Sequence, residues 1–350
     1  MKFGRILILL LFVAMALALG SKYFYPSTLI IFFSSATALI LLSRFLGNAT
    51  EHLSHYVGER FAGLLNVTLS NLAELIIIFV AVRSSQIQLV QAGIVGSIIG
   101  NILLVMGTSV LLGCKKHHTM KFNEDTGTLF INQLFLVGTI LFLPTLFNNY
   151  IPQERQLNLS YVLSFILVGV YVYYYTLSFT DKRFCPVTEQ AKMSLDGRWT
   201  KSFSSVVLIL TAIGAFVMSE LMIGEVDRIA HTLDISKMLI GFIIMPLLGN
   251  IAENMVAIFA ARKGLVELSL SISVGSASQV GMIVAPCAVL FGVITGHPVI
   301  LDFAGLPWGI LILSLFGAFL TLRDNRWNIN EGVTLLALYL SVVVAFIFAR

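Results

Sequence analysis

Asn71-Leu72-Ala73-Glu74-Leu75-Ile76-Ile77-Ile78-Phe79-Val80-Ala81-Val82-Arg83 is an apolar run with one amide and one carboxylate near its start. The chain carries it twice. Sliding the second half by 179 positions, with no gap, sets Asn250-Ile251-Ala252-Glu253 on Asn71 to Glu74 and Ala260-Ala261-Arg262 on Ala81-Val82-Arg83. The same shift sets Val274-Gly275-Ser276 on Val95-Gly96-Ser97. Between Leu69 and Gly113, fourteen of 45 positions are identical. Shared apolar composition inflates such a count, but it does not explain matched Asn, Glu, Arg, Gly and Ser residues.

The setting of this duplicated element follows from composition. Of 350 residues, 57% are apolar and 11% charged, and the mean hydropathy is +0.92, whereas soluble domains run about 25% charged. This is an integral membrane protein. Eleven apolar runs bounded by charge clusters occupy residues 6–20, 28–46, 61–82, 89–114, 126–147, 157–179, 203–223, 238–261, 265–296, 301–322 and 332–349. At about 20 residues per crossing they use roughly 220 residues and leave about 130 for connections, so a tethered enzyme with a globular head is excluded. The net charge of +4 does not imply nucleic acid. Cys114, Cys185 and Cys287 form no C-x-x-C pair, which gives neither a disulfide framework nor a zinc site.

The expected fold is an all-α polytopic membrane protein of about 11 transmembrane helices, one extra N-terminal helix plus two inverted five-helix repeats. Its divisions are an N-terminal helix over 1–25, a first repeat over 26–180, a linker over 181–202 and a second repeat over 203–350. The first run also fits a secretory signal, since Lys2 and Arg5 precede an apolar stretch ending Ala16-Leu17-Ala18. With the amino terminus placed in the cytoplasm, sixteen Lys and Arg fall inside and six outside. That bias puts the linker in the cytoplasm and the carboxyl terminus outside, in a bacterial plasma membrane. Five spans separate each element from its copy, an odd number, so the copies enter the membrane from opposite sides. Inverted repeats of this kind mark transporters.

Of eighteen carboxylates only Glu74 and Glu253 lie well inside these spans, and no Lys or Arg lies at comparable depth. An ionisable residue at mid-membrane costs about 2.5–3.5 kcal/mol on insertion scales. A protonated, merely hydrogen-bonded pair is the plain alternative to a functional one. Asn71 and Asn250 each precede a glutamate by three residues, on one helix face. Ser97, Asn101, Ser276, Ser278 and Gln279 sit at mid-depth on the following spans. Hard cations such as Ca²⁺ take six to eight oxygens from such groups, and the absence of Cys and His from the set argues against Zn²⁺ or Cu⁺. Any one serine or amide taken singly also fits helix-to-helix hydrogen bonding. Gly96, Gly100, Gly241, Gly249 and Gly275 suit close approach or local unwinding, and Pro246 and Pro286 should interrupt helical hydrogen bonding.

The segment Asn48-Ala49-Thr50-Glu51-His52-Leu53 onward to Gly63-Leu64-Leu65-Asn66-Val67-Thr68-Leu69-Ser70-Asn71-Leu72-Ala73-Glu74 resembles the cation/proton exchanger branch of the cation/Ca²⁺ antiporter superfamily. Gly249-Asn250-Ile251-Ala252-Glu253-Asn254 and Gly275-Ser276-Ala277-Ser278-Gln279 resemble its second motif. The resemblance implies a Ca²⁺/H⁺ antiporter whose site is Glu74 and Glu253, aided by Asn71, Asn250, Ser97, Asn101 and Gln279. It implies no cofactor, the substrates being Ca²⁺ and protons. Two carboxylates neutralise one Ca²⁺ or take up two protons, so both loaded states can reorient while the empty, doubly charged state is too costly. Two departures stand out: Ser70 precedes Asn71 where glycine is usual, and the linker has only Asp181, Glu189 and Asp196 where many relatives carry an acidic run.

Glu51 and Glu220 lie at the ends of the second and seventh spans. They read either as interfacial carboxylates or, as the family suggests, as gate residues that hand ions or protons to the central pair. His52-x-x-His55 with Glu59 could hold a metal on one helix face, though a cytoplasmic connector is the simpler reading; His117-His118 beside Lys115 and Lys116 reads as a solvated basic loop. A Na⁺- or K⁺-coupled exchanger would favour more carboxylates in the spans, and an intramembrane hydrolase would need a Gly-x-Ser-x-Gly pattern or an in-span histidine base, which the chain lacks. Homo-oligomerisation is left open.

Overall fold

The computed structural model describes residues 2–54, 56, 69, 71–180, 199–303 and 308–348. Residues 57–68 of the first motif, together with Ser70, His55, Cys185 and the linker acids Asp181, Glu189 and Asp196, lie outside the described residues, as does Glu59. In order come α1 (Lys2–Phe24), α2 (Thr28–Ser54), α3 (Leu72–Arg83), α4 (Ile87–His117), α5 (Glu124–Leu146) and α6 (Gln153–Thr180). After the linker come α7 (Lys201–Gly224), the short α8 (Val226–Leu233), α9 (Lys237–Arg262), α10 (Val266–Thr295), α11 (Trp308–Leu322) and α12 (Ile329–Phe348). Among the described residues nine helices are long and apolar enough to cross a membrane, and Gly309–Leu322 is a shorter apolar one. The remaining expected span, 61–82, is described only in its second half, as α3.

One expected boundary moves. Residues 301–303 are not helical; the apolar Leu301 and Phe303, on either side of Asp302, are buried, and their N–H groups donate to Ser160 Oγ at 3.0 Å and Thr145 Oγ1 at 2.9 Å. Side-chain hydroxyls thus satisfy backbone that would otherwise need a helix. Hydropathy cannot separate such a buried extended stretch from a span.

The duplication reappears in backbone detail. After α3, the N–H groups of Ser85 and Gln86 donate to the carbonyls of Val82 and Ala81, both at 2.9 Å. Shifted by 179, the N–H groups of Gly264 and Leu265 donate to Ala261 at 2.9 Å and Ala260 at 3.0 Å. Both turns are the Schellman helix ending, which needs one residue with positive φ: Ser85 at 59° and Gly264 at 81°. The widened π-helical segment Gly100–Met106 in α4 also has a counterpart, Val280–Val284 in α10.

Pro246 and Pro286 therefore do not break their helices. Proline lacks the N–H that would serve the carbonyl four residues back and crowds the preceding turn, and π segments at Ile240–Ile244 and Val280–Val284 take up the mismatch just before each ring. Gly107 stands where the second copy has Pro286, so proline is not the sole cause of the widening. Gly100 opens the π segment and has open space around it. Gly275 is in regular helix, and a Cβ there would meet only Phe130, at an ordinary 3.6 Å, so neither unwinding nor close approach explains it.

The chain divides into two compact units, one drawn from residues 1–93 and 195–252, the other from 94–194 and 253–349. Each therefore takes sequence from both halves of the duplication. In the first, α2 packs along α7, with α1 against α2 and α3 against α7. In the second, the π segment of α4 packs against the first half of α10 and against α12, while α5 and α11 pair. A two-residue ribbon, β1 (Met120–Lys121) with β2 (Arg326–Trp327), joins the α4–α5 and α11–α12 connections.

Candidate functional site

In the first unit Glu74 of one Asn-x-x-Glu copy meets Asn250 of the other. Glu74 lies in the first turn of α3 and is only 4% exposed. Its Oε2 accepts a hydrogen bond from Asn250 Nδ2 at 3.2 Å, and Asn250 is 1% exposed. What lets α9 come so near is Gly249: a Cβ there would stand 3.1 Å from Glu74 Cβ and 3.4 Å from its Cα. Gly241, two turns earlier, admits the start of α4 in the same way, since a Cβ there would lie 2.8 Å from the Leu89 carbonyl oxygen.

Asn71 begins α3, its carbonyl accepting from Leu75 N at 2.9 Å. Its side chain makes no cap hydrogen bond, so the amide is not consumed in starting the helix. Asn250 Oδ1 is buried and accepts no hydrogen bond among the described residues. A buried amide oxygen without a donor is costly, and a cation is one partner that satisfies it. Glu74 and Asn250 Oδ1 are carboxylate and amide oxygens of the kind a hard cation takes, and they could hold one. Among the described residues no three His, Cys, Asp or Glu side chains gather as a metal centre.

Glu253 follows Asn250 by three residues on α9, on the same helix face and half-buried. It belongs with the second unit, as do Ser97, Asn101, Ser276, Ser278 and Gln279. Ser97, Asn101, Ser276 and Ser278 are buried. Asn101 sits within the π segment of α4, which packs against the part of α10 that carries Ser276 and Gln279, and Gln279 immediately precedes the π segment of α10. The packing of these two helices brings together the segments that carry these side chains.

Neither gate candidate is at the central depth. Glu51 is half-buried in the last turn of α2, its carbonyl accepting Ser54 Oγ at 2.7 Å. Glu220 is exposed near the end of α7 and pairs with Arg83 Nη1 at 2.8 Å. Arg83 closes α3, nine residues or about 13 Å of helix beyond Glu74. Of the His52-x-x-His55 group only His52 is described; it is buried and stacked on Trp199, ring centroids 4.6 Å apart. His117 does lie at an exposed basic end, its Nε2 3.0 Å from the Arg262 carbonyl.

One buried carboxylate escaped the sequence reading. Glu225, between α7 and α8, is 2% exposed. Its Oε2 accepts from Thr28 Oγ1 at 3.0 Å, and Arg228 Nη1 bonds both carboxylate oxygens at 3.1 and 3.2 Å. The Glu225-x-x-Arg228 spacing was the available signal. Nearby, Asp227 accepts from Gln86 Nε2 and from Lys237 Nζ; the Lys237 ammonium holds its carboxyl below the usual range.

Residues 27–180 and 203–348 match the family described as sodium/calcium exchanger protein. A Ca²⁺/H⁺ antiporter of Aphanothece halophytica is 34% identical, over 97% of this chain and 95% of its own. The Ca²⁺/H⁺ antiporter ChaA of Bacillus subtilis is 30% identical, over 94% of each. Among solved structures, native YfkE superposes with a TM-score of 0.83 at 27% identity, covering 98% of this chain and 99% of that one. The H⁺/Ca²⁺ exchanger CAX shares the fold with a TM-score of 0.70 at 15% identity, over 97% and 91%.

Proposed function

Because the chain belongs to the sodium/calcium exchanger protein family, we infer that it moves Ca²⁺ across the membrane in exchange for protons, with Glu74 and Glu253 as the residues that both substrates share. The relatives that carry the name Ca²⁺/H⁺ antiporter cover nearly the whole chain, which makes a transporter and not an enzyme the premise. The observation that carries the site is the hydrogen bond from Asn250 to Glu74. It joins the amide of one motif copy to the carboxylate of the other, the arrangement two inverted helices would use to build one cation cage. Asn71, Ser97, Asn101, Ser276 and Gln279 supply further oxygens.

Ca²⁺ binds to the ionised pair, and two protons replace it. Either occupant cancels most of the charge, so the loaded repeats, 26–180 and 203–350, can exchange their exposure, while the empty site stays put because two bare carboxylates in a low-dielectric core are too costly. The uneven distribution of basic residues places the amino terminus and the linker in the cytoplasm of a bacterial cell, so that export of Ca²⁺ is driven by proton entry. Labelling of a single cysteine at Asp181 or Glu189 from outside intact cells would overturn that orientation.

The decisive experiment is uptake of radioactive Ca²⁺ into everted vesicles, driven first by a proton gradient and then by a sodium gradient. The proton gradient drives uptake, and Glu74→Gln and Glu253→Gln each reduce it to background in protein that remains folded. Uptake driven only by sodium would replace the proposal with sodium coupling, and near-normal transport by either variant would remove that glutamate from the site.

A further inference from the structure

Basic side chains are treated in opposite ways at two sets of helix ends. In the first unit Arg83 pairs with Glu220, Arg228 with Glu225 and Lys237 with Asp227. In the second, Lys115, Lys116, Lys121, Arg262, Lys263, Arg323 and Arg326 collect where α4, α9 and α11 finish, and among the described residues only Arg326 has a carboxylate partner, Asp324 at 2.9 Å. Glu267 and Glu331 accept the backbone N–H groups of Asn123 and Asn328, and Glu331 also attracts Arg326 and Arg323 without forming an ion pair with either, which leaves the cations at this end in excess. Glu124 and Asp125 occupy the first turn of α5, where the helix dipole already favours them.

The β ribbon sharpens this imbalance. Its register sets Met120 opposite Trp327 and Lys121 opposite Arg326. Met120 and Trp327 are buried, Trp327 completely, and Phe122 lies against the Trp327 ring with centroids 5.9 Å apart. Side chains alternate along a strand, so burying that pair forces the two cations out on the other face, side by side. Like charges directly opposite on a ribbon are unfavourable. The neighbouring surface is apolar: on α11, just before Arg323, Leu313, Phe316, Phe319 and Leu320 are all exposed. Paired cations at the end of bare apolar helix suit a molecule with an anionic head and hydrocarbon tails.

We propose that the ribbon is a binding site for an anionic phospholipid, whose phosphate oxygens bridge Lys121 and Arg326 while its acyl chains lie along α11. Free phosphate shares the head-group chemistry but makes no use of the apolar face.

Purified full-length protein is titrated with phosphatidylglycerol or phosphatidylcholine and the bound lipid counted by native mass spectrometry. Phosphatidylglycerol is retained preferentially. The double substitution Lys121→Gln/Arg326→Gln weakens its retention about 30-fold, from the contribution of two basic residues at an anionic surface. Lys121→Arg/Arg326→Lys, which keeps both charges, leaves retention intact and guards against a misfolded glutamine variant, and Lys22→Gln/Lys201→Gln changes nothing. Equal retention of the two lipids, unchanged retention in the glutamine double variant, or full displacement by millimolar inorganic phosphate would each overturn the proposal.

Discussion

Replacing Asn250 by alanine tests whether the two motif copies act as one site. The substitution removes the Nδ2 donor that lies 3.2 Å from Glu74 Oε2 and the unpartnered Oδ1 oxygen beside it. A hydrogen bond to a charged group contributes about 1.5–3 kcal/mol net, or about 10- to 150-fold in an equilibrium constant. The separation is at the long end of the N–H···O range, which moves the expectation to the lower part of that interval. Both partners are at least nine-tenths buried, so water does not take over the lost donor. The expected result is about a tenfold or larger rise in the Ca²⁺ KM of proton-driven uptake into proteoliposomes, with the variant still monodisperse. Asn250→Asp keeps the shape but sets a second carboxylate against Glu74, and it should impair transport at least as much. A Ca²⁺ KM within twofold of the parent for Asn250→Ala, or parent-like transport by Asn250→Asp, would show that the amide only fills space.

Gly249→Ala forces a Cβ to 3.1 Å from that of Glu74; such overpacking costs about 1–3 kcal/mol, so a lower Tm and reduced uptake are expected, and parent-like values of both would count against the close approach. Glu220→Gln cuts the exposed ion pair with Arg83, worth about 0–1 kcal/mol; the exchange rate should fall while equilibrium Ca²⁺ binding persists, and the same split is expected for Glu51→Gln. Binding lost as fully as in Glu74→Gln would place these residues in the site itself. For Asp227, Lys237 depresses the carboxyl, so its stabilising contribution is present above the ordinary carboxylate range and is lost as pH falls through the lowered value. Thermal unfolding followed from neutral pH down to about pH 3 should therefore show a slightly smaller acid loss in Asp227→Asn than in the parent.

Hydropathy, charge placement and the repeat of 179 residues determined the membrane class and most helix positions and singled out Glu74 and Glu253 as the proposed pair, because each is a property of composition or local spacing. The duplicated turn at Ser85 and Gly264 was also implicit, since a Schellman ending depends on a few neighbouring residues. Tertiary structure decided what depends on one helix meeting another. Nothing in Asn250 itself announces that its amide donates to Glu74, which requires the approach that Gly249 permits. Glu225 drew no notice in the sequence, and only the fold sets Thr28 and Arg228 around it. That His52 stacks on Trp199, 147 residues away, likewise depends on the tertiary fold. Residues 301–303 read as the start of a span because burial and membrane crossing demand the same apolar side chains, and only the hydroxyls of Ser160 and Thr145 allow that backbone to be buried without a helix.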